Sequence, residues 1–248
     1  MNNTFKDKIL NVKNMFLNEL FPEKYSCFNC GEELCKESDF YLCDNCLKNI
    51  LLIKNPCKKC GVELNSFTNY CHNCKDKERH FDLAVCSSKY ENVAKNLVYK
   101  FKYNGEKYIS KIIYKFMLET IKSTKFLKQI DLIIPVPLSQ QRLKERGFNQ
   151  AEILSNLLAT ELKIEHSPDV IKRTKSTQTQ THLNKLERKE NLKNAFEVVD
   201  KLKLKNKTVL VVDDIITTGA TLDEISFCLK KAGVKKVYGL AFCHAGDW

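Results

Sequence analysis

Residues 208–222 read TVLVVDDIITTGATL. The opening five, Thr208–Val212, are an unbroken and mostly β-branched run, the composition of a strand buried on both faces. Two carboxylates, Asp213 and Asp214, stand at its carboxyl end. Thr217, Thr218, Gly219, Ala220 and Thr221 then turn the chain into an amphipathic helix. In an open α/β sheet, ligands bind outside the carboxyl ends of the strands. A helix N-terminus with free N–H groups and flanking hydroxyls cradles phosphate, and a glycine such as Gly219 lets the backbone come close. Two carboxylates beside such a cradle would repel phosphate, so they suit diol hydroxyls or a divalent cation. Together these features ask for a sugar phosphate bearing vicinal hydroxyls. A strand ending in acids ahead of a Thr-capped helix would explain one Thr and one Asp, but not the whole string. The chain has no G-x-x-x-x-G-K-[ST] and no G-x-G-x-x-G, which sets aside the common nucleotide and dinucleotide loops.

Around this segment, helical spacing at 91–101, 106–122, 149–162, 184–193 and 221–232 alternates with short apolar runs at 131–136, 195–199, 208–212 and 236–242. That alternation predicts a mainly parallel sheet covered by helices. Asn149 is positioned to cap the helix AEILSNLLATEL that follows it. At the other end of the chain, Phe5, Ile9, Val12, Phe16 and Leu20 fall near helical spacing, predicting an amphipathic helix that Pro22 ends.

Between these parts lies a different composition. Eight of the 12 cysteines form four C-x-x-C pairs, Cys27/Cys30, Cys43/Cys46, Cys57/Cys60 and Cys71/Cys74. Two-residue spacing lets two thiolates grip one ion from a tight knuckle, and two knuckles complete a tetrahedral zinc site. Gly31 and Gly61 follow two of the knuckles and can take the positive φ such turns require. Pairing the knuckles in sequence closes loops of 12 and 10 residues, Cys27/Cys30 with Cys43/Cys46 and Cys57/Cys60 with Cys71/Cys74. Crossed or nested pairing needs a longer closure for at least one site. Cys35 reads as a loop thiol, and His72 as a turn residue rather than a further ligand. Cys86, Cys228 and Cys243, in apolar surroundings, read as small core residues. So few apolar residues fall in 23–80 that metal must supply the stability. The expected organisation is an N-terminal helix over 1–22, a double zinc ribbon over 23–80 and an α/β domain over 81–248. Phe28, Phe40, Tyr41, Phe67 and Tyr70 lie near the knuckles. They can stack on bases, although serving as the ribbons' own core is the simpler expectation.

The 248 residues carry a net charge of +11, unevenly distributed. Residues 1–80 hold 12 Lys/Arg against 11 acids, whereas 81–248 hold 29 against 19. Such a surplus favours phosphate-bearing partners, nucleic acid or a phosphorylated metabolite. A general Lys bias explains it too, since only five of the 41 basic residues are Arg. The N-terminus lacks the apolar core of a signal peptide and no stretch is long and apolar enough to span a bilayer, so a soluble, cytoplasmic protein without membrane insertion is expected.

VVDDIITTGAT resembles the phosphoribosyl-pyrophosphate (PRPP) motif of type I phosphoribosyltransferases. IIPVPLSQQRLKERGFNQAEILSNLLA (133–159), QTHLNKLERKENLKNAF (180–196), LVYKFKYNGEK (97–107) and the four knuckles resemble the ComF family of competence-associated proteins. This resemblance covers nearly everything from Cys27 onward. It implies a phosphoribosyltransferase-like α/β fold, a parallel sheet with helices on both faces, joined to a small zinc-ribbon module with two structural zinc ions. It also implies that Asp213 and Asp214 hold the ribose hydroxyls of PRPP, bound with Mg²⁺, while Thr217–Thr221 take the 5′-phosphate. Ile133–Ser139 would face the pyrophosphate, with Arg146, Asn149 and Gln150 just beyond it. Residues 173–188 resemble a mobile basic loop that closes over PRPP. Within and after it, Gln180, Arg188 and Asn191 match the family pattern; Arg146 and Arg188 are the expected catalytic contacts, although Arg188 also reads as a solvated helix charge. Lys102 matches a family Lys-Tyr and would reach an anion. His182 departs from the small residue usual at that place, which bears on the conformation of the loop. A nucleobase-binding hood is not identifiable. Family members act with a helicase-like partner during entry of single-stranded DNA in natural transformation. Two functions are therefore expected from different classes, a PRPP-dependent transferase or a non-catalytic DNA-uptake adaptor using the PRPP pocket as a sensor or phosphate grip.

Overall fold

The computed structural model describes residues 26–34, 41–66, 68–103, 108–174 and 192–246. The expected N-terminal helix lies outside the described residues. Residues 1–47 and 48–248 form two separate compact units.

The larger unit is organised on a five-stranded parallel sheet. Its strands are β1 (Leu83–Lys89), β2 (Leu132–Pro135), β3 (Glu165–His166), β6 (Thr208–Ile216) and β7 (Lys236–His244), in the order β1-β7-β6-β2-β3. Val209–Val212 are at most 1% exposed, as expected for a strand with neighbours on both edges and cover on both faces. The helices are α3 (Asn92–Tyr103), α4 (Ile109–Lys122), α5 (Gln140–Arg146), α6 (Gln150–Leu162) and α8 (Ala220–Lys231); a one-turn α7 (Lys201–Leu204) precedes β6. Alternation along β7 separates the layers. A Cβ on Gly239 would stand 2.5 Å from Leu222 of α8, so that face has room only for glycine, whereas Phe242 points the other way onto Phe116 of α4.

The topology places the site. From β2 the chain crosses through α5 and α6 to β3 on one side, and from β6 it crosses through α8 to β7 on the other. Right-handed crossovers that leave adjacent strands in opposite directions open a crevice at their carboxyl ends. Pro135 pairs with Val212 at that point, which sets the loop after β2 beside Asp213.

Two local expectations change. Residues 195–199 do not join the parallel sheet: β5 (Phe196–Val198) pairs antiparallel with β4 (Ile171–Arg173) in a separate two-stranded ribbon. β1 is an additional strand whose SSK ending breaks the apolar pattern. Its outer edge is covered by the segment leading into the second pair of knuckles: Ile53 N donates to Ser87 O at 3.1 Å, Lys89 N to Leu51 O at 2.8 Å and Ala84 N to Lys59 O at 2.8 Å. A strand edge is thereby paired rather than left open. Cys57, Cys60, Val62, Leu64 and Cys74 belong to the same buried cluster as Phe81, Ala84, Leu222 and Ala241. The second ribbon thus shares a core with the sheet. Cys86 and Cys243 are buried as expected, and burial raises the Cys243 thiol to about 12, which leaves it unreactive. Among the described residues, no helix is long and apolar enough to cross a membrane.

Candidate functional site

The metal-ligating thiols form two sets. Cys27, Cys30, Cys43 and Cys46 converge within 4.8 Å of one another, as do Cys57, Cys60, Cys71 and Cys74, which is the sequential pairing. Each first knuckle is a tight turn closed by a glycine: Gly31 N bonds to Cys27 O at 2.8 Å and Gly61 N to Cys57 O at 3.0 Å, with φ of +80° and +78°. Short helices carry the partner knuckles, α1 (Asp44–Lys48) holding Cys46 and α2 (His72–Lys75) holding Cys74. In the second set hydrogen bonds with Cys60 and Cys74 hold the Cys57 thiol far below its ordinary range, while the hydrogen bonds with Cys57 and Cys74, and burial, push Cys60 up. Four thiols that close repel one another once deprotonated, a repulsion that a tetrahedral zinc ion would relieve. His72 stays outside the donor set.

Of the aromatic core expected for the ribbons, Phe28 is half-buried with its ring centre 5.5 Å from that of Tyr41, but two other rings are exposed. Tyr41 and Tyr70 are 39% and 47% exposed, and the buried residues include Leu42, Val62, Leu64 and six of the eight ligands, Cys30 being exposed and Cys71 half-buried. Phe40, Phe67 and Cys35 lie outside the described residues.

At the carboxyl ends of β2 and β6 an open cleft of about 410 Å³ brings together Lys102, Arg146, Asp213, Asp214, Thr217 and Thr221. Lys102, on the last turn of α3, places Nζ 2.8 Å from Asp214 Oδ1, with 16% and 5% of the two side chains exposed. Asp213 accepts the Asp214 backbone N–H at 2.9 Å through its own carboxylate. Burial, reinforced by the neighbouring Asp214 charge and opposed by Lys102, pushes Asp213 up to about 7. One acid is thus neutralised by an ammonium and the other leans toward its neutral form, because two adjacent carboxylates in a crevice cannot both be fully charged without help.

Gly219, at φ +72°, is the N-cap of α8, and Ala220 N donates to Thr218 Oγ1 at 3.3 Å. Thr217 and Thr221 face the main cleft, while Thr218 lines a neighbouring cleft of about 300 Å³. Gly219 and Ala220 lie deeper, under the turn.

Asn149 does cap its helix, accepting Ala151 N at 3.1 Å; it also donates from Nδ2 to Val136 O at 3.1 Å, so one side chain ties α6 to the end of β2. Arg146 donates to Gln150 Oε1 at 3.1 Å and lies 5.3 Å from the Tyr103 ring centre. Sequence reasoning missed Arg142, Tyr90 and Tyr103, which also line the cleft, and assigned Arg173 only to the loop that follows. A signal for Arg142 exists: it lies on the same short helix as Arg146, four residues apart, hence on the same face. Arg188, Gln180, Asn191 and His182 lie outside the described residues.

Residues 16–75 match the Double zinc ribbon domain family and residues 143–246 the Phosphoribosyl transferase domain family. Competence protein F of Haemophilus influenzae is 38% identical over 206 residues, 81% of this chain and 90% of its own length. DNA utilization protein YhgH of Escherichia coli K12 is 29% identical over 82% of this chain and 89% of its own, and competence protein ComFC of Streptococcus pneumoniae 27% identical over 79% and 77%. A phosphoribosyltransferase-type sheet with a paired-acid strand end, preceded by two four-cysteine sites and aligned this extensively with those proteins, makes this chain a member of the ComF family.

Proposed function

We propose that this protein binds PRPP with Mg²⁺ in the main cleft and carries out phosphoribosyltransferase-type chemistry in the handling of transforming single-stranded DNA. The observation carrying this reading is the convergence of the acid pair, the phosphate-type loop and three arginines on one crevice. In it, Asp213 and Asp214 accept the ribose hydroxyls, and the turn at Thr217–Thr221 with the free N–H groups of α8 takes the 5′-phosphate. Arg142, Arg146 and Arg173, which line the same crevice, take the pyrophosphate, since planar guanidinium groups suit phosphate oxygens. The metal enters on the ligand: Asp214 is already paired with Lys102, and among the described residues the two four-cysteine sets are the only clusters of metal-binding type. Magnesium supplies charge neutralisation on the leaving pyrophosphate.

Transfer breaks the bond from C1′ to the pyrophosphate oxygen and forms one from C1′ to the acceptor. It proceeds through oxocarbenium-like charge, so positioning and electrostatics suffice and no protein nucleophile is required. Zinc in both four-cysteine sites is structural in this reading. Single-stranded DNA and a helicase-like protein are its partners. The words competence and DNA utilization in the relatives' names support a role with DNA, as does Tyr103, 62% exposed and lining the cleft beside Arg146, with Tyr99, 57% exposed, 5.0 Å away between ring centres. Exposed rings among cations are suited to stacked bases.

Calorimetric titration of Mg·PRPP into the zinc-loaded protein tests the reading. Binding is expected in the wild type and absent in Asp213→Asn/Asp214→Asn. An affinity indifferent to both substitutions would refute it. Pyrophosphate release then separates a transferase from an adaptor that grips PRPP without turnover.

A further inference from the structure

Five residues after Cys74 of the second four-cysteine site, Arg79 turns inward beneath the phosphate-type loop. Its side chain is only 10% exposed. Nη2 donates to the Thr218 carbonyl oxygen at 3.1 Å, and Nη1 stands 3.7 Å from Asp223 Oδ2 in the first turn of α8. The next residue adds a second tie, His80 N donating to Asp223 Oδ1 at 2.7 Å. The guanidinium also lies 5.9 Å from the ring centre of fully buried Phe81, whose edge is 3.9 Å from where a Cβ on Gly219 would stand. One short segment thus holds the loop's carbonyl, the helix's first turn and the floor under Gly219.

The consequence follows from peptide planarity. In a trans peptide the C=O and the next N–H point in opposite directions. Fixing the Thr218 carbonyl on Arg79 therefore aims the Gly219 N–H away from Arg79. The four-cysteine site that precedes Arg79 is itself seated on the sheet, because Cys71 N donates to Cys57 Sγ at 3.3 Å and the Gly61 turn packs against the backbone of β1, where a Cβ would meet Ala84 O at 2.8 Å; Cys60, Cys71, Arg79 and Thr218 line one cleft. The four thiols fit a zinc ion, and the chain leaving the knuckle that ion would fold reaches this arginine five residues after Cys74.

We infer that Arg79 is a positioning residue through which the second four-cysteine site sets the phosphate-binding geometry of the Thr217–Thr221 loop. The role of that loop rests on the function proposed above; the strut itself does not. An Arg79–Asp223 pair serving stability alone would make the loop indifferent to the arginine once the protein is folded.

The test uses the full zinc-loaded chain with Arg79→Ala and Arg79→Lys. Zinc content stays at two ions, while amide hydrogen exchange of residues 218–222 speeds up by about tenfold or more in Arg79→Ala, the scale of losing a charge-assisted hydrogen bond. Ribose 5-phosphate, which uses the loop, binds about tenfold more weakly, whereas Mg·pyrophosphate, which does not, binds as in the wild type. Arg79→Lys recovers part of both effects. A Cys57→Ser/Cys60→Ser variant that retains one zinc weakens ribose 5-phosphate similarly, and adding Arg79→Ala to it causes little further loss, since both act through one path. Unchanged exchange at 218–222 in Arg79→Ala overturns the inference, as does an equal loss of both ligands. Arg79-dependent exchange in a wild type that binds neither ligand keeps the strut and removes the proposed function.

Discussion

The acid pair makes a pH-dependent contribution whose sign and size follow from its burial. Asp213 titrates at about 7 in the folded protein against an ordinary 3.8. Below the ordinary value the folded and unfolded forms are both protonated, and burial costs nothing. As pH rises toward 7, the unfolded chain releases a proton that the folded protein retains. Folded stability therefore falls by about 1.4 kcal/mol per pH unit across that window and then levels off. Between pH 5 and pH 8 the loss is roughly 3 kcal/mol, an order-of-magnitude figure because Asp214 and Lys102 share the same crevice. Asp213→Asn removes the titration and keeps the shape. Urea denaturation of both proteins, followed by circular dichroism at half-unit steps from pH 5 to pH 8 with zinc present, gives the difference directly. The cysteine sites titrate in both proteins and cancel. The wild type is expected to lose stability relative to Asp213→Asn as pH rises from 5 toward 7, with the difference levelling off above it. Parallel curves would refute the assignment of the retained proton to Asp213.

Two further substitutions probe the neighbouring supports. Lys102→Met leaves the Asp214 carboxylate, 5% exposed, without its ammonium, and is expected to cost about 3–5 kcal/mol at pH 8 by denaturant midpoint; a loss under about 1 kcal/mol would show that the pair is not buried in solution. Gly61→Ala and Gly31→Ala form a controlled comparison, since both glycines have positive φ but only Gly61 abuts backbone, at 2.8 Å. Gly31→Ala is expected to cost about 1–2 kcal/mol for its backbone conformation, and Gly61→Ala clearly more, with faster loss of one zinc to a chelator; equal effects would argue against the packing of the second knuckle on β1.

The parts of the fold legible in the sequence are those whose signal is local. The β-branched run at 208–212 and the helical spacing of 149–162 and 221–232 name their elements because burial on one or both faces leaves a periodic trace. The knuckle pairing was legible for a related reason, since short loops close most easily. What failed to show was non-local. Leu83–Lys89 is a strand because β7 lies on one edge and residues 51–59 on the other, and nothing in LAVCSSK announces either neighbour. Phe196–Val198 has strand composition in both readings, but its partner is the Ile171–Arg173 ribbon rather than the sheet.

The same division runs through the site. Asp213, Asp214 and the Thr217–Thr221 turn form one covalent stretch at a strand end, so the order of residues is enough to place them side by side in a pattern that suits a sugar phosphate. Eight cysteines at two-residue spacing say in the same way that two metal sites exist. Folding in three dimensions was needed to show that Lys102, 112 residues before Asp214, neutralises it, because the pairing depends on where α3 ends relative to β6. Folding also brought Arg142 and Arg173 into the same crevice as the acids. It put the second ribbon into the core of the sheet, with Arg79 under the phosphate-type loop 139 residues further on. Contacts of that range leave no periodicity or spacing in the chain; they arise when the sheet brings distant strand ends to one edge.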